Sequence, residues 1–127
     1  MRNTLSFMLF IITLSISSSA LASSVSRASF TIGVEDREPV LSVDSISAES
    51  YDSISFFTEL MGLEGHTITH QWMFGGKVMF EKSFEVNGAR WRVWTSKTLI
   101  PSWAGTWTVN VLDDDRSVLE SKSFEYQ

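Results

Sequence analysis

The sequence predicts an all-β domain: an immunoglobulin-like antiparallel β-sandwich of seven or eight strands, preceded by a cleaved signal peptide. Three observations predict it. After residue 22 the apolar residues recur at every second position, with no sustained helical period. Turn-forming clusters break the chain at short, even intervals, which is the spacing of a sandwich. The composition is 43% hydrophobic and 13% aromatic with only 20% charged residues, enough apolar surface to bury a core.

The elements follow in order. Phe30, Ile32 and Val34 alternate with Thr31 and Gly33. Pro39 fixes its own φ, pushes Glu38 into an extended conformation and begins a second extended piece with Val40, Leu41 and Val43. A strand over Ser50–Leu60 carries Ile54, Phe56, Phe57 and Leu60. Thr67–Phe74 places Ile68, His70, Trp72 and Phe74 on one face. Val78–Phe84, Ala89–Thr98, Gly105–Leu112 and Ser117–Tyr126 complete the set. Leu99–Ala104, with Pro101, is a longer connection, and Asp113-Asp114-Asp115-Arg116 is polar turn material.

Register then assigns faces. A three-residue loop, Gly75-Gly76-Lys77, sets Phe74 opposite Val78 and Trp72 opposite Phe80, keeping Val78, Phe80 and Phe84 on the buried face. A two-residue Gly75-Gly76 loop turns those residues away. Asn87-Gly88, the strongest short hairpin signal, pairs Val86 with Ala89 and Phe84 with Trp91. Trp91 and Val93 join the core. The opposite face then shows Glu85 facing Arg90, Ser83 facing Arg92 and Glu81 facing Trp94, unless the strand from Lys77 switches sheets and splits that face.

The first 22 residues read as an address. Arg2 gives a positive start, Leu5–Ile16 is an apolar run of about twelve residues, and Ala20-Leu21-Ala22 supplies a small-residue cleavage site. Twelve residues rise about 18 Å as a helix, short of the roughly 30 Å hydrocarbon core of a membrane. The expected organisation is a signal peptide over 1–22, a short leader over 23–29 and a β-sandwich over 30–127. Cleavage removes Arg2 and leaves nine basic residues against 15 acidic ones, net -6. The expected location is the bacterial periplasm or the outside medium, with no stable membrane insertion after cleavage. Zero cysteine excludes disulfides, Cys-ligated metal centres and thiol nucleophiles. The acidic balance argues against nucleic acid as a partner.

Several short motifs, in order, resemble a known bacterial family. They are Gly33-Val34-Glu35-Asp36-Arg37-Glu38-Pro39-Val40, Phe57-Thr58-Glu59, Ile68-Thr69-His70-Gln71-Trp72, Arg90-Trp91-Arg92-Val93-Trp94-Thr95-Ser96-Lys97 and Gly105-Thr106-Trp107-Thr108-Val109. Together they resemble the domain of unknown function 2914 over most of residues 30–119. The resemblance implies a β-sandwich, in single exported domains or in tails of membrane proteins. It supplies no catalytic residues. Asp115-Arg116 stands where many members carry a glycine, which bears on the turn type.

Candidate sites are few. His66 and His70 lie about 13 Å apart along a strand, too far to share one metal ion unless the chain bends. His70 on the core face reads as a hydrogen-bonded structural histidine. No serine sits in a G-x-S-x-G elbow, and the glycines are turn residues rather than a phosphate cradle. The three aspartates at 113–115 lack the full calcium-loop pattern and read as a solvated turn. Glu35, Asp36, Arg37 and Glu38 are expected to pair locally or with Arg90 and Arg92. No catalytic residue, metal site or cofactor is therefore expected.

The binding candidates are Arg90, Arg92 and Trp94, with Trp103 in the connecting loop as a second location. Arginine offers a planar fork of donors and exposed tryptophan a stacking face, a combination suited to sugars and peptides. The expected function is a non-catalytic binding module for a glycan or an envelope protein. The alternatives are a structural or assembly domain of an envelope complex, or a small hydrolase.

Overall fold

The structure is a computed structural model and describes residues 24–127; the expected signal peptide lies outside the described residues. Ten strands form: β1 Ser24–Thr31, β2 Val34–Glu35, β3 Glu38–Pro39, β4 Ser45–Ile46, β5 Ser53–Met61, β6 Thr67–Phe74, β7 Lys77–Glu85, β8 Arg90–Thr98, β9 Gly105–Leu112 and β10 Val118–Tyr126. Seven are long, as the alternation predicts. The stretch Ser24–Ser29, expected as a leader, is most of β1 and pairs along β5. Its alternation is weak because β1 is an edge strand.

Two sheets face each other. One has the order β1-β5-β8 and the other β4-β10-β9-β6-β7. Between them lies an aromatic core. Phe30 packs on Phe56 and Phe124 with ring centroids 4.9 and 4.7 Å apart, and Trp72 and Trp107 both reach Phe124 at 6.2 Å. All five rings are buried. Burying side chains of this size stabilises by about 1.5–3 kcal/mol each, which suits a described domain without a disulfide.

Two turns differ from expectation, and each difference has a physical reason. The Gly75-Gly76 turn has two residues, both at positive φ (58° and 75°), and pairs Phe74 with Lys77. A bulge then restores the buried register: Met73 opposes Val78, but Trp72 opposes Phe80, with Met79 as the extra residue. Bulges add one residue to one strand and shift every later side chain by one position. The Trp72–Phe80 pairing therefore stands as expected, while Val78 is exposed rather than buried.

The Asn87-Gly88 hairpin does not form. β7 pairs only with β6, and β8 only with β5, so the chain crosses from one sheet to the other between them. Neither Asn87 nor Gly88 takes the positive φ that an Asn-Gly hairpin turn requires. Tertiary bonds hold this stretch instead. The Val86 N–H donates to the His66 carbonyl, the Val86 carbonyl accepts from Gly65, and the Ala89 carbonyl accepts from Gly62. Burial of Val86 outweighs the local preference. The face expected to run from Glu81 to Trp94 is thus split. Glu85 faces Thr67, Ser83 bonds Thr69, and Glu81 bonds Gln71 and Arg116.

The crossing also leaves β7 and β8 as unpaired edges on the same side of the sandwich. On the outer face of the three-stranded sheet, the segment after β1 folds into the small β2–β3 ribbon. The tip residues Asp36 and Arg37 sit at φ 50° and 60°. Asparagine, aspartate and glycine tolerate that region; for arginine it costs about 1 kcal/mol.

Candidate functional site

Alternation along β8 sends Trp91, Val93, Thr95 and Lys97 inward and Arg90, Arg92 and Trp94 outward. At the open side, the gap between β7 and β8 is a groove of about 560 Å³. Phe84, Trp91 and Val93 give it apolar surface. Lys82 and Glu85 line it from β7, Arg90, Arg92 and Trp94 from β8, and Arg37 from the ribbon tip. Four cations thus meet one carboxylate in a chain whose overall charge is -5. Among the described residues, neither Arg37 nor Lys82 forms an ion pair. Trp94 is 37% exposed, so part of it is open to solvent beside the groove.

The arginines are held by two carboxylates: Glu38, from the cluster expected to pair with them, and Glu59, which the sequence does not single out as a partner. The register sets Arg27, Glu59 and Arg92 in one row across the three-stranded sheet. Arg27 reaches Glu59 at 2.7 Å, and Arg90 reaches it at 2.8 Å. Ser26 adds a third donor at 2.8 Å. These partners, the Arg27 hydrogen bond first, hold the Glu59 carboxyl down at about 2. Glu38 completes the set from the ribbon. Its carboxylate takes two bonds from Arg27 (2.8 and 3.2 Å) and one from Arg92 at 3.3 Å, with Arg90 at 4.0 Å. The Arg27 hydrogen bond likewise lowers its pKa. Of the partners considered for the Glu35–Glu38 cluster, Arg90 and Arg92 are thus met by Glu38 alone.

Trp103 does not join this groove. It ends a one-turn 3₁₀ helix, Pro101–Trp103, and its carbonyl accepts the Trp107 indole N–H at 2.9 Å. Its ring meets Trp107 edge-on, and the Lys97 ammonium lies 5.1 Å from its centroid. Of the four binding candidates, the structure brings together Arg90, Arg92 and Trp94 and leaves Trp103 packed at the core margin.

The histidines part company. His70 is fully buried between the sheets. Its Nδ1 lies 2.9 Å from the Thr95 hydroxyl and its Nε2 lies 3.0 Å from the Thr58 hydroxyl. The Trp72 indole N–H donates to Thr95 at 2.9 Å, and Thr58 donates to the Val93 carbonyl at 3.4 Å. One arrangement of protons uses every group. Thr95 donates to Nδ1, Nε2–H donates to Thr58, and Thr58 donates onward to Val93. The other neutral tautomer leaves the Thr95 hydroxyl proton without an acceptor in this network. Burial holds the imidazole neutral, with its pKa pushed down to about 3.

His66 lies just before β6, half-exposed, with Nδ1 2.8 Å from an Asp113 carboxylate oxygen and 3.3 Å from Asp114. The turn after β9 therefore meets the turn before β6. Asp114 also accepts the Thr67 N–H, and Asp113 accepts the Asp114 N–H. These donors and acceptors satisfy one another and fasten the two turns. Arg116 takes φ 65° and pairs with Glu81 at 2.7 Å.

Comparisons with known proteins agree with this architecture. Residues 65–126 match the model of a family described as "Protein of unknown function (DUF2914)", and the chain resembles that family. The match spans the strands from β6 to β10; the Gly33–Val40 and Phe57–Glu59 motifs precede it. Among solved structures, the chain is similar to an immunoglobulin-like protein from Pseudomonas aeruginosa. The TM-score is 0.58 at 15% identity, covering 83% of this chain and 96% of that one. At that identity the likeness shows the fold alone, an immunoglobulin-like β-sandwich. No curated protein sequence matches the chain. Among the described residues no helix is long and apolar enough to cross a membrane.

Proposed function

We propose that this is a non-catalytic binding module of the bacterial envelope or its surroundings, and that its ligand is an acidic glycan held in the groove between β7 and β8. One observation carries the reading. Arg37, Lys82, Arg90 and Arg92 converge with an exposed Trp94 in a single groove of an otherwise acidic chain. Basic groups attract and orient an anionic chain, and the indole face offers a stacking surface for a sugar ring.

The edges weigh against the rival reading of an assembly domain that joins partners through its sheets. Natural sheets block edge pairing with bulges, short strands and inward-pointing charge. β1 carries an irregularity between Val25 and Arg27, β7 carries the Met79 bulge, and β4 has only two residues. Lys82 and Lys97 point inward from β7 and β8 and lie over Phe84 and Phe80. These devices also disfavour an extended peptide added as a strand, which leaves a glycan as the favoured ligand. The hydrolase reading loses its candidate base, because His70 is buried and bonded to two threonines.

The test is a glycan array that includes polygalacturonate, alginate and neutral dextran. The protein is expected to retain the two acidic polymers and not dextran. Trp94→Ala and Arg92→Ala should each weaken retention by roughly tenfold, the loss of a central aromatic or arginine contact. Binding that both substitutions leave unchanged on every acidic glycan overturns the assignment of this groove. A pull-down from periplasmic extract supplies the competing outcome: capture of a protein partner through Trp94 assigns the groove to a protein instead.

A further inference from the structure

Resting on that reading, we infer that the group recognised is a carboxylate and that Glu38 occupies its seat in the ligand-free protein. The two glutamates of the arginine cluster differ in how firmly they are held. Glu59 is on β5, between two paired strands; its side chain is 11% exposed and bonds Ser26, Arg27 and Arg90. Glu38 is on a two-residue strand of the ribbon, and its side chain is 44% exposed. Glu59 belongs to the sheet, whereas Glu38 is exchangeable.

The seat that Glu38 fills has the chemistry of a carboxylate receptor. Arg27 meets it with two N–H groups, at 2.8 and 3.2 Å, the paired geometry that suits a planar anion. Arg92 approaches the same oxygen as the second Arg27 bond. With Glu38 swung out, three guanidiniums surround a single remaining carboxylate. A monoanionic ligand group then restores the balance like for like.

The seat also shares two arginines with the groove. Arg90 and Arg92 belong to both, and Arg37, adjacent to Glu38 in the chain, lines the groove. A second hollow is lined by Ser26, Arg27, Pro39 and Phe57, so Arg27 of the seat is itself reached from a pocket. Trp94 projects from the same face two residues along β8, about 7 Å from Arg92. A sugar ring stacked on Trp94 thus brings its own or its neighbour's carboxylate to the arginines.

Glu38→Gln tests the inference, since it keeps the side chain's shape and removes the competing charge. Affinity for polygalacturonate, measured by titration calorimetry, is expected to rise about threefold to tenfold, the worth of one or two exposed ion pairs. Dextran sulfate should gain less and neutral dextran nothing. Glu38→Asp, which keeps the charge but draws it back from the seat, should also tighten binding and covers the case of a misfolded first variant. Unchanged or weaker polygalacturonate binding in both variants overturns the inference. If Trp94→Ala still weakens wild-type binding, the groove reading survives and only the seat falls. If wild type and both variants all fail to bind polygalacturonate, both readings fall together. An equal gain for dextran sulfate overturns the choice of carboxylate.

Discussion

Two polar networks cross this molecule, and they are built on opposite terms. Inside, Trp72, Thr95, His70 and Thr58 link the sheets through neutral groups. Outside, Arg27, Glu59, Arg90, Arg92 and Glu38 link three strands and a ribbon through full charges. The buried network has no alternative solvent, so each lost partner orphans another group. The exposed network exchanges partners with water and salt at little cost. The first is therefore suited to fixing how the sheets meet, and the second to admitting a ligand.

The contrast is broken first at Thr95. Thr95→Val keeps the shape and removes both a donor to His70 and an acceptor for Trp72. Two buried groups then lack partners, and the loss is expected to be about 3 kcal/mol in urea unfolding. A loss under about 1 kcal/mol means that the network does not hold the sheets together.

The second break is by pH. His70 is held neutral down to about 3 in the folded protein and titrates near its ordinary value when unfolded. Below that ordinary value the unfolded chain therefore binds a proton that the native protein refuses. Stability should fall as pH drops from about 6.5 toward 3, by about 1.4 kcal/mol per pH unit from this group. His70→Gln should be less stable at neutral pH and should lose that slope. An equal slope in both proteins places the acid sensitivity elsewhere.

The outer network answers with a smaller effect. Glu59→Gln removes a carboxylate with three side-chain donors from a row only partly open to water. The expected loss is about 1–2 kcal/mol at low salt, shrinking in 1 M sodium chloride. The Thr95→Val loss should not respond to salt in this way. A salt-independent Glu59→Gln loss means that this row acts by packing rather than charge. Glu38→Gln should lower the urea midpoint less than Glu59→Gln does, because the Glu38 pairs are more open to water, which separates the exchangeable carboxylate from the fixed one.

What the sequence made legible follows the range of the interaction. β6 and β9 match their expected limits, Thr67–Phe74 and Gly105–Leu112, because period two and flanking glycines are local signals. The shared face of Arg90, Arg92 and Trp94 follows from the same period. Asn87-Gly88 misleads because burial of Val86 and pairing of β8 with β5 outweigh a two-residue preference. Of the carboxylates that hold the arginines, Glu38 is among the residues expected to pair with Arg90 or Arg92, whereas nothing in the sequence points to Glu59 as their partner. Glu59 lies 31 residues from Arg90, and Glu38 lies 54 from Arg92, joined only once the sheet order is known. A faint signal exists for the inner network. Thr58 and Thr95 each stand two residues from a core residue, Phe56 and Val93, so alternation points two hydroxyls inward.

The smallest expected effect runs opposite to that of His70. The Asp113 hydrogen bond raises the His66 pKa above its ordinary value. The stabilisation that His66 contributes is then fully present below that ordinary value and is lost as pH rises through the raised one. His66→Asn should therefore differ most from wild type on the acidic side and converge with it in alkali. The effect should be weaker than that of His70, since the pair is half-exposed and screened by salt. His70 thus contributes to the acid flank of the stability profile, beside the carboxylates whose pKa values are lowered, and His66 contributes to the alkaline one. A wild-type stability profile that keeps rising above pH 8, with His66→Asn parallel to it throughout, would show that the two turns are not fastened by this pair.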